Sequence, residues 1–384
     1  MRSRRSRVAV PAVLAVLVLG AALVGVPVTP AGGAPDPADV TAAARAAAWI
    51  TTQQQPDGGF EVSGFTGFET PDAVLAIAGA AQTGTTWSTS TARAAIEGLH
   101  AGGPSGPTPI DALDAWASGG VNAGEASKIV VLVAAPLGID PAHFGPSDVD
   151  LATVMYPSGC SAAPASSGLF FYESMFLALG GAVLCGSPAP AILTAIRAAQ
   201  RTGGGWNYNG SLAPANPDDP FDPNSPDVDS TAVAIEALVA GGAAWNDPAI
   251  LSGLTYLASQ RSENGAFRAF GADDPNATAV AMLAIAAAGF DPDRSCWRDT
   301  VLPASAGAPY TPPDAWLRAQ QQANGRIASP NDGATPNTFA SSQSAEALLR
   351  TWLPIERAAG APTCAPITPA VVAEPVVLAP RLTG

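Results

Sequence analysis

The segment Gln53-Gln54-Gln55-Pro56-Asp57-Gly58-Gly59-Phe60 decides the fold of this chain, because altered copies of it begin at Gln200, Gln260 and Gln320. Each copy ends one Ala/Leu-rich stretch and is followed by a polar loop and a second Ala/Leu-rich stretch. A unit that recurs at tens of residues is typical of a helical hairpin, which cannot bury its apolar face alone. The sequence therefore predicts an all-α stack of about six hairpins.

The two helices of each predicted hairpin differ in polarity. The second helix is nearly apolar throughout, as in residues 278–285, and a helix that is apolar all round is buried on most sides. The first helices carry arginines, which suit an outer layer: Arg45, Arg93, Arg197 and Arg318. We therefore expect two concentric rings of helices in one domain that spans residues 35–358.

The two ends of the chain differ in composition from the repeats. Residues 1–7 are basic, residues 8–26 are apolar, and small residues precede residue 35, which is the pattern of a secretory signal peptide over residues 1–34. A retained membrane anchor is the alternative, although the apolar run is at the short end for a span. Residues 359–384 are rich in Pro, Ala and Val and predict an extended tail. We expect a secreted or cell-envelope protein with no membrane span after cleavage.

The charge pattern excludes several classes of partner. The 384 residues carry a net charge of −14, and Lys128 is the only lysine. No basic stripe follows the predicted signal peptide, which argues against nucleic acid and against anionic lipid surfaces. The expected partner is a small-molecule ligand, with an envelope protein as the other candidate.

The four cysteines predict two disulfides, because an even count in an exported chain favours pairing. The sequence permits three pairings. We favour Cys160 with Cys185 and Cys296 with Cys364, since these pairs close the shorter loops.

The Gln…Gly-x-aromatic segments, each followed by a Ser/Thr-Ala-x-Ala-x-x-Ala-Leu helix, resemble the repeats of the prenyltransferase and squalene-cyclase superfamily. The clearest copies are residues 200–206 with 227–232 and residues 260–267 with 276–279. The resemblance covers about residues 40–355 and implies an α/α toroid. It does not imply one activity, because the superfamily includes terpene cyclases, protein prenyltransferases and transcobalamin-type cobalamin carriers.

One motif suggests catalysis. Residues 227–232, Asp-Val-Asp-Ser-Thr-Ala, resemble the Asp-x-Asp-Asp-Thr-Ala motif of class II terpene cyclases, in which the middle aspartic acid protonates an alkene. The resemblance implies that Asp229 is a general acid, with Asp227 beside it. Ser230 stands where those cyclases have a further acid, and the alternative is that Asp229 and Ser230 only cap a helix.

Two further patterns suggest metal sites, but their sequence context argues against both. Residues 218–222, Asp-Asp-Pro-Phe-Asp, spell the Mg²⁺-binding pattern of class I terpene synthases, but the prolines in and around them oppose a helix and predict a solvated loop. A zinc site of the protein-prenyltransferase kind needs histidine and thiolate ligands. His100 and His143 are the only histidines, and neither lies near a cysteine in the sequence, so no metal site is expected.

The starts of the inner helices predict a ligand-binding mouth. Aligning these helices places Phe68, Phe170 and Phe339 near the positions of Asp229 and Asn276. A partly aromatic rim could hold a flat apolar or amphipathic ligand. The alternative is that the Phe side chains pack between repeats.

These observations lead to one main functional prediction and two alternatives. We expect a secreted, non-catalytic ligand-binding protein, with cobalamin as the leading candidate ligand on the family resemblance alone. The first alternative is a class II terpene-cyclase-like enzyme that uses Asp229. The second is an interaction scaffold of the cell envelope.

Overall fold

The computed structural model describes the greater part of the repeat region. The described residues are 35–61, 67–83, 86–168, 170–216, 218–219, 221–331, 337–351 and 358. The predicted signal peptide and the whole of the predicted tail lie outside them, so both stay predictions. No helix among the described residues is long and apolar enough to cross a membrane.

The elements, numbered along the chain, divide into two sets. Inner helices are α2 (Thr70–Ala80), α5 (Ala123–Ile129), α8 (Phe171–Cys185), α10 (Val228–Ala240), α12 (Pro275–Ala287) and α15 (Phe339–Leu348). Outer helices are α1 (Pro37–Thr51), α3 (Thr89–Glu97), α4 (Pro109–Ser118), α7 (Leu151–Met155), α9 (Pro190–Ala198), α11 (Pro248–Gln260), α13 (Cys296–Val301) and α14 (Pro313–Ala319). The remaining elements are a π-helical turn (Val130–Ala134) that continues α5 into α6 (Ala135–Leu137), a 3₁₀ turn (Pro303–Ser305) and an antiparallel hairpin of β1 (Phe267–Ala269) and β2 (Ala272–Asp274).

The inner helices form a closed ring. Going round it, α2 packs against the π-helical turn that extends α5, α5 against α8, α8 against α10, α10 against α12, α12 against α15, and α15 against α2. The outer helices lie against the ring, and α1 contacts both α2 and α15. The fold is therefore the predicted double ring, with first and last repeats in contact.

The repeated Gln and Gly residues join neighbouring repeats. The Gln321 side chain donates to the carbonyl of Gly325, at 3.0 Å, and to that of Ala42 in α1, at 2.7 Å. Gly325 has φ +97°, and a Cβ atom there would lie 2.3 Å from the Arg45 carbonyl oxygen, so the turn requires glycine. Gln200 and Gly204 repeat this arrangement against α11. The recurring segment therefore closes the outer ring.

The ring encloses a space that is not completely filled. In α12, three residues on one helix face retain slight exposure: Asn276 9%, Val280 8% and Leu283 7%. The other residues of this helix from Ala277 onward are at most 2% exposed. Residues spaced four and three apart share a face, so this face borders the interior.

The described residues test one of the two predicted disulfides. Cys160 and Cys185 are bonded, with their Cα atoms 5.6 Å apart, which confirms that pairing. The bond fixes the C-terminal end of α8 to the loop after α7. Cys364 lies outside the described residues, so its pairing with Cys296 stays a prediction.

Candidate active site

The start of α10 is built around Asp227, not Asp229. The Asp227 side chain is the N-cap and accepts hydrogen bonds from the Ser230 N–H, at 2.6 Å, and from the Ser230 hydroxyl, at 2.8 Å. The expectation that Asp229 and Ser230 cap the helix is therefore wrong for Asp229, because the cap lies two residues earlier. Asp229 is free for another role.

Asp229 faces the ring interior without a hydrogen-bonding partner. Its Oδ1 atom is buried and accepts no hydrogen bond from the described residues. The side chain is partly accessible although protein surrounds it deeply, which is expected of a group that lines a recess. The pKa of Asp229 lies well above its ordinary value. Burial is the largest cause of this rise, and the negative charges of Asp227 and Asp274 add to it. The raised pKa therefore favours the protonated form of this carboxyl.

Asp227 has a different environment from its neighbour. Burial raises the pKa of Asp227 to about 6, although the hydrogen bonds from Ser230 and from the Asp229 backbone N–H oppose that rise. Asp227 and Asp229, two residues apart, therefore have different pKa values. A pair of carboxyls with separated pKa values is a common basis for acid–base chemistry.

A shared junction aligns the inner helices with one another. The N–H of the aromatic or aliphatic residue that ends each repeated segment donates to a Ser or Thr hydroxyl near the start of the next inner helix. The pairs are Phe60 with Thr70, Trp206 with Thr231, Phe267 with Thr278 and Ile327 with Ser341, at 2.8–3.0 Å. Positions counted along the sequence from this hydroxyl are therefore equivalent in the inner helices of four repeats.

The residue two positions before the junction hydroxyl lies at the mouth of the ring. This position holds Phe68, Asp229, Asn276 and Phe339, as the sequence alignment predicts. Phe68 and Phe339 stack with their ring centroids 4.7 Å apart, yet Phe68 remains 45% exposed. Phe170 does not join them, because it packs edge-to-face on Tyr208, with centroids 5.8 Å apart. Part of the predicted aromatic rim is therefore assembled.

A polar belt lies one turn deeper. Lys128 of α5 forms an ion pair with Asp72 of α2 at 2.8 Å and lies over the Phe68 ring, 4.7 Å from its centroid. Gln343 of α15 connects Asp72 to Asn276 of α12, with hydrogen bonds of 3.3 and 3.1 Å. Asn276 is thus held by an amide partner.

A third level contains acids that the sequence analysis missed. Glu236 and Glu346 lie five positions after the junction hydroxyls of α10 and α15, where α12 has Leu283. Burial raises the pKa of Glu236 to about 8 and raises the pKa of Glu346 as well. The Tyr172 hydroxyl of α8 is also deeply surrounded, and burial together with the charge of Asp229 raises its pKa. A charged residue inside an otherwise apolar inner helix is the signal that would have identified the two glutamates.

The set-aside metal patterns stay outside this site. The described residues of the Asp-Asp-Pro-Phe-Asp pattern lie in a loop, where Asp219 and Asp222 accept hydrogen bonds from nearby backbone N–H groups. His100 contacts the Gly106 carbonyl and His143 contacts Asp148, both at 2.8 Å. Among the described residues, no three His, Cys, Asp or Glu side chains are grouped as metal ligands.

Comparisons with known proteins identify the fold. No protein-family model matches the chain, and no curated protein matches it. Unsaturated glucuronyl hydrolase from Bacillus sp. GL1 matches with a TM-score of 0.53 at 12% identity, over 81% of this chain and 95% of that chain. The chain has the α/α toroid fold. The apo structure of the type II terpene cyclase MstE from Scytonema matches with a TM-score of 0.49 at 13% identity, over 82% of this chain and 98% of that chain.

The main functional prediction, a non-catalytic carrier, is contradicted. The non-catalytic carrier of cobalamin or another amphipathic ligand is contradicted, because the solved structures that resemble this toroid with TM-scores above 0.5 include an enzyme, unsaturated glucuronyl hydrolase. The physical reason lies in the ring interior. Three acids line this interior, Asp229, Glu236 and Glu346, and burial raises the pKa of each, a pattern that is common at catalytic sites. The enzyme alternative is favoured instead.

Proposed function

We propose that this toroid is an enzyme in which Asp229 is the general acid. The observation that carries the proposal is the state of that carboxyl: it is not the helix cap, its Oδ1 has no partner, and its pKa is raised. A general acid must hold a proton at the working pH and must be free to release it to the substrate. The raised pKa of Asp229 favours the form that holds a proton, and its Oδ1 atom has no hydrogen-bonding partner among the described residues.

The charges of the interior limit the substrate. Lys128 is the only basic residue on the inner helices, and it is already paired with Asp72. A diphosphate or a uronic acid would therefore meet acids and no unpaired cation, at a cost in electrostatic free energy. The interior suits an unsaturated substrate without negative charge, which can enter past Phe68 and Phe339.

The reaction that fits these features is alkene protonation, as in the terpene-cyclase-like alternative. The Asp229 proton forms a C–H bond with one alkene carbon, and the other carbon becomes a cation. The carboxylate left on Asp229 attracts that cation strongly in an interior that excludes water. A neighbouring carbon then gives up a proton to the Asp229 carboxylate, which regenerates the acid and completes an isomerisation, so no further reactant is needed.

Incorporation of solvent deuterium tests this proposal directly. The protein is incubated in D₂O with farnesol, geranylgeraniol or squalene, and products are analysed by mass spectrometry. We expect a product that carries one deuterium on the protonated carbon, and no product from Asp229→Asn. Asp247→Asn is the matched control, because this acid pairs with Arg197 on the outer surface. Absence of product from every polyene, or full turnover by Asp229→Asn, contradicts the proposal.

A further inference from the structure

The deepest acids of the interior have no part in the proposed protonation. Glu236 on α10 and Glu346 on α15 occupy equivalent positions, and α12 lies between their helices. The two side chains are 4% and 3% exposed, and the charge of Glu236 acts on Glu346. Both acids are therefore buried at one level of the ring, on the two inner helices that flank α12.

Neither carboxyl is satisfied by the described residues. Glu236 makes no hydrogen bond to them through its side chain, and burial alone accounts for its raised pKa. The Oε1 atom of Glu346 is fully buried and also has no hydrogen-bond partner. The nearest cation, Lys128, is committed to Asp72. An unpaired buried carboxyl is costly, and the equivalent position in α12 accommodates a leucine, so the fold itself does not require these acids.

The direction of the helices adds to the negative potential at this level. Inner helices α10 and α15 begin at the mouth, and Glu346 lies in the last turn of α15. The C-terminal end of a helix carries a partial negative charge and favours cations. Farther out, the aromatic rim offers ring faces to a cation, as Lys128 over Phe68 already shows. The net charge of −14 also attracts cations from solution.

We propose that Glu236 and Glu346 form a subsite for an ammonium group, and that the substrate of this enzyme is therefore an unsaturated amine that enters nitrogen first. This inference rests on the proposed function for the reacting end of the substrate. Glu236 lies seven residues after Asp229 on the same face of α10, which is about 10 Å along the axis. The reacting double bond is therefore held about 10 Å from the nitrogen.

Binding of an ammonium group to this pair releases a proton. One glutamic acid ionises to form the ion pair, and its proton leaves to solvent. Facing the pair are Asp72 from α2, Lys128 from α5 and Tyr172 from α8, while α11 and α12 bring no charged residue. The charged residues of α1, α9 and α14 contact groups of the outer layer, as Arg45 does with Gln322, Arg197 with Asp247, and Arg318 with Asp39.

The test compares decylamine with 1-decanol, which has the same chain and no charge. Calorimetry at pH 7 on the full chain measures both affinities in buffers of different ionisation enthalpy. We expect decylamine to bind at least about tenfold more tightly, since hydrogen bonds to charged groups contribute that much. The measured enthalpy should also depend on the buffer, because a proton is released.

Two variants make the test decisive. The double variant Glu236→Gln, Glu346→Gln should bind decylamine and decanol equally and release no proton, while Asp229→Asn should keep the preference for the amine. Melting curves confirm that each variant is folded. Equal binding of the two compounds by the original chain, or an unchanged preference in the double variant, overturns the inference. Amine binding without deuteration of any polyene would instead count against the proposed reaction alone.

Discussion

Helices α10 and α12 are neighbours built on one plan, and their differences locate the chemistry. Each is capped by an aspartate, Asp227 or Asp274, and in each a threonine hydroxyl donates to the carbonyl of that aspartate at 2.7 Å. From cap to end, their interior-facing residues run Asp229, Val233 and Glu236 in α10, and Asn276, Val280 and Leu283 in α12.

The same scaffold thus holds acids on one helix and an amide and a leucine on the next. Asn276 is tied to Gln343 at 3.1 Å, while Asp229 and Glu236 have no hydrogen-bonding partner for their side chains in the described part of the chain. Asp274 also accepts hydrogen bonds from outside its own helix, because Ser329 and Asn331 both donate to it, whereas Asp227 accepts from Ser230 and Asp229 of α10. The capping and junction hydrogen bonds therefore stabilise the ring, whereas the acids without a hydrogen-bonding partner line its interior.

The largest effect, on turnover, is expected when the mouth residue of α10 is replaced by the residue that α12 has at the equivalent position. Asp229→Asn removes the proton donor, so kcat should fall by about 10²- to 10⁴-fold, the usual contribution of a general acid. Steady-state assays of deuterated product measure this. Adding Asn276→Asp moves the acid one helix along the ring and should not restore turnover. Restored turnover would mean that any acid at this level suffices.

The next effect concerns stability. Glu236→Leu copies the α12 residue and removes an unpaired buried carboxyl, so the free energy of unfolding should rise by about 1–3 kcal/mol at pH 7.

The pH dependence of this gain follows from the sign of the pKa shift. The pKa of Glu236 is raised from 4.5 to about 8 in the folded chain, so the native state binds more protons than the unfolded state. The original chain therefore loses stability as pH rises between these values, by up to about 1.4 kcal/mol per pH unit. Urea unfolding from pH 5 to 8 should show a shallower loss in the variant. Parallel curves for the two proteins would place the ionisation of Glu236 outside this range.

The junction hydroxyls should contribute equally to both helices. Thr231→Val and Thr278→Val each leave a buried backbone N–H, that of Trp206 or Phe267, without an acceptor. Each change should lower the free energy of unfolding by about 1–3 kcal/mol. Chemical denaturation measures both variants under one condition. A loss at only one position would show that the two helices do not share this scaffold.

The smallest effects are expected from the two caps. Asp227→Ala and Asp274→Ala each remove an N-cap, which costs about 0.5–2 kcal/mol. The loss should be greater for Asp274, because Ser329 and Asn331 lose an acceptor together with the cap. Thermal unfolding at constant pH provides the comparison. A greater loss for Asp227 would reverse the proposed division between structural and functional acids.

The sequence predicts the ring well because its repeats fix it locally. The recurring Gln and Gly residues and the apolar second helices are sufficient for the hairpins and for the mouth positions of Phe68, Asp229 and Phe339. The cap was misplaced, because Asp227 and Asp229 both suit an N-cap and only the backbone decides between them. The ion pair of Lys128 with Asp72 joins residues 56 positions apart, by subtraction of their numbers, on different helices, and no local pattern predicts it.

The protonation state of Asp229 at neutral pH is the most direct measurement. A difference infrared spectrum of the original chain minus Asp229→Asn at pH 7 isolates this one carboxyl. The account predicts the carbonyl stretch of a protonated carboxylic acid, which persists until the pH is raised well above the ordinary range for aspartic acid. A carboxylate band in its place would show that Asp229 has no proton to give, and would contradict its role as the acid.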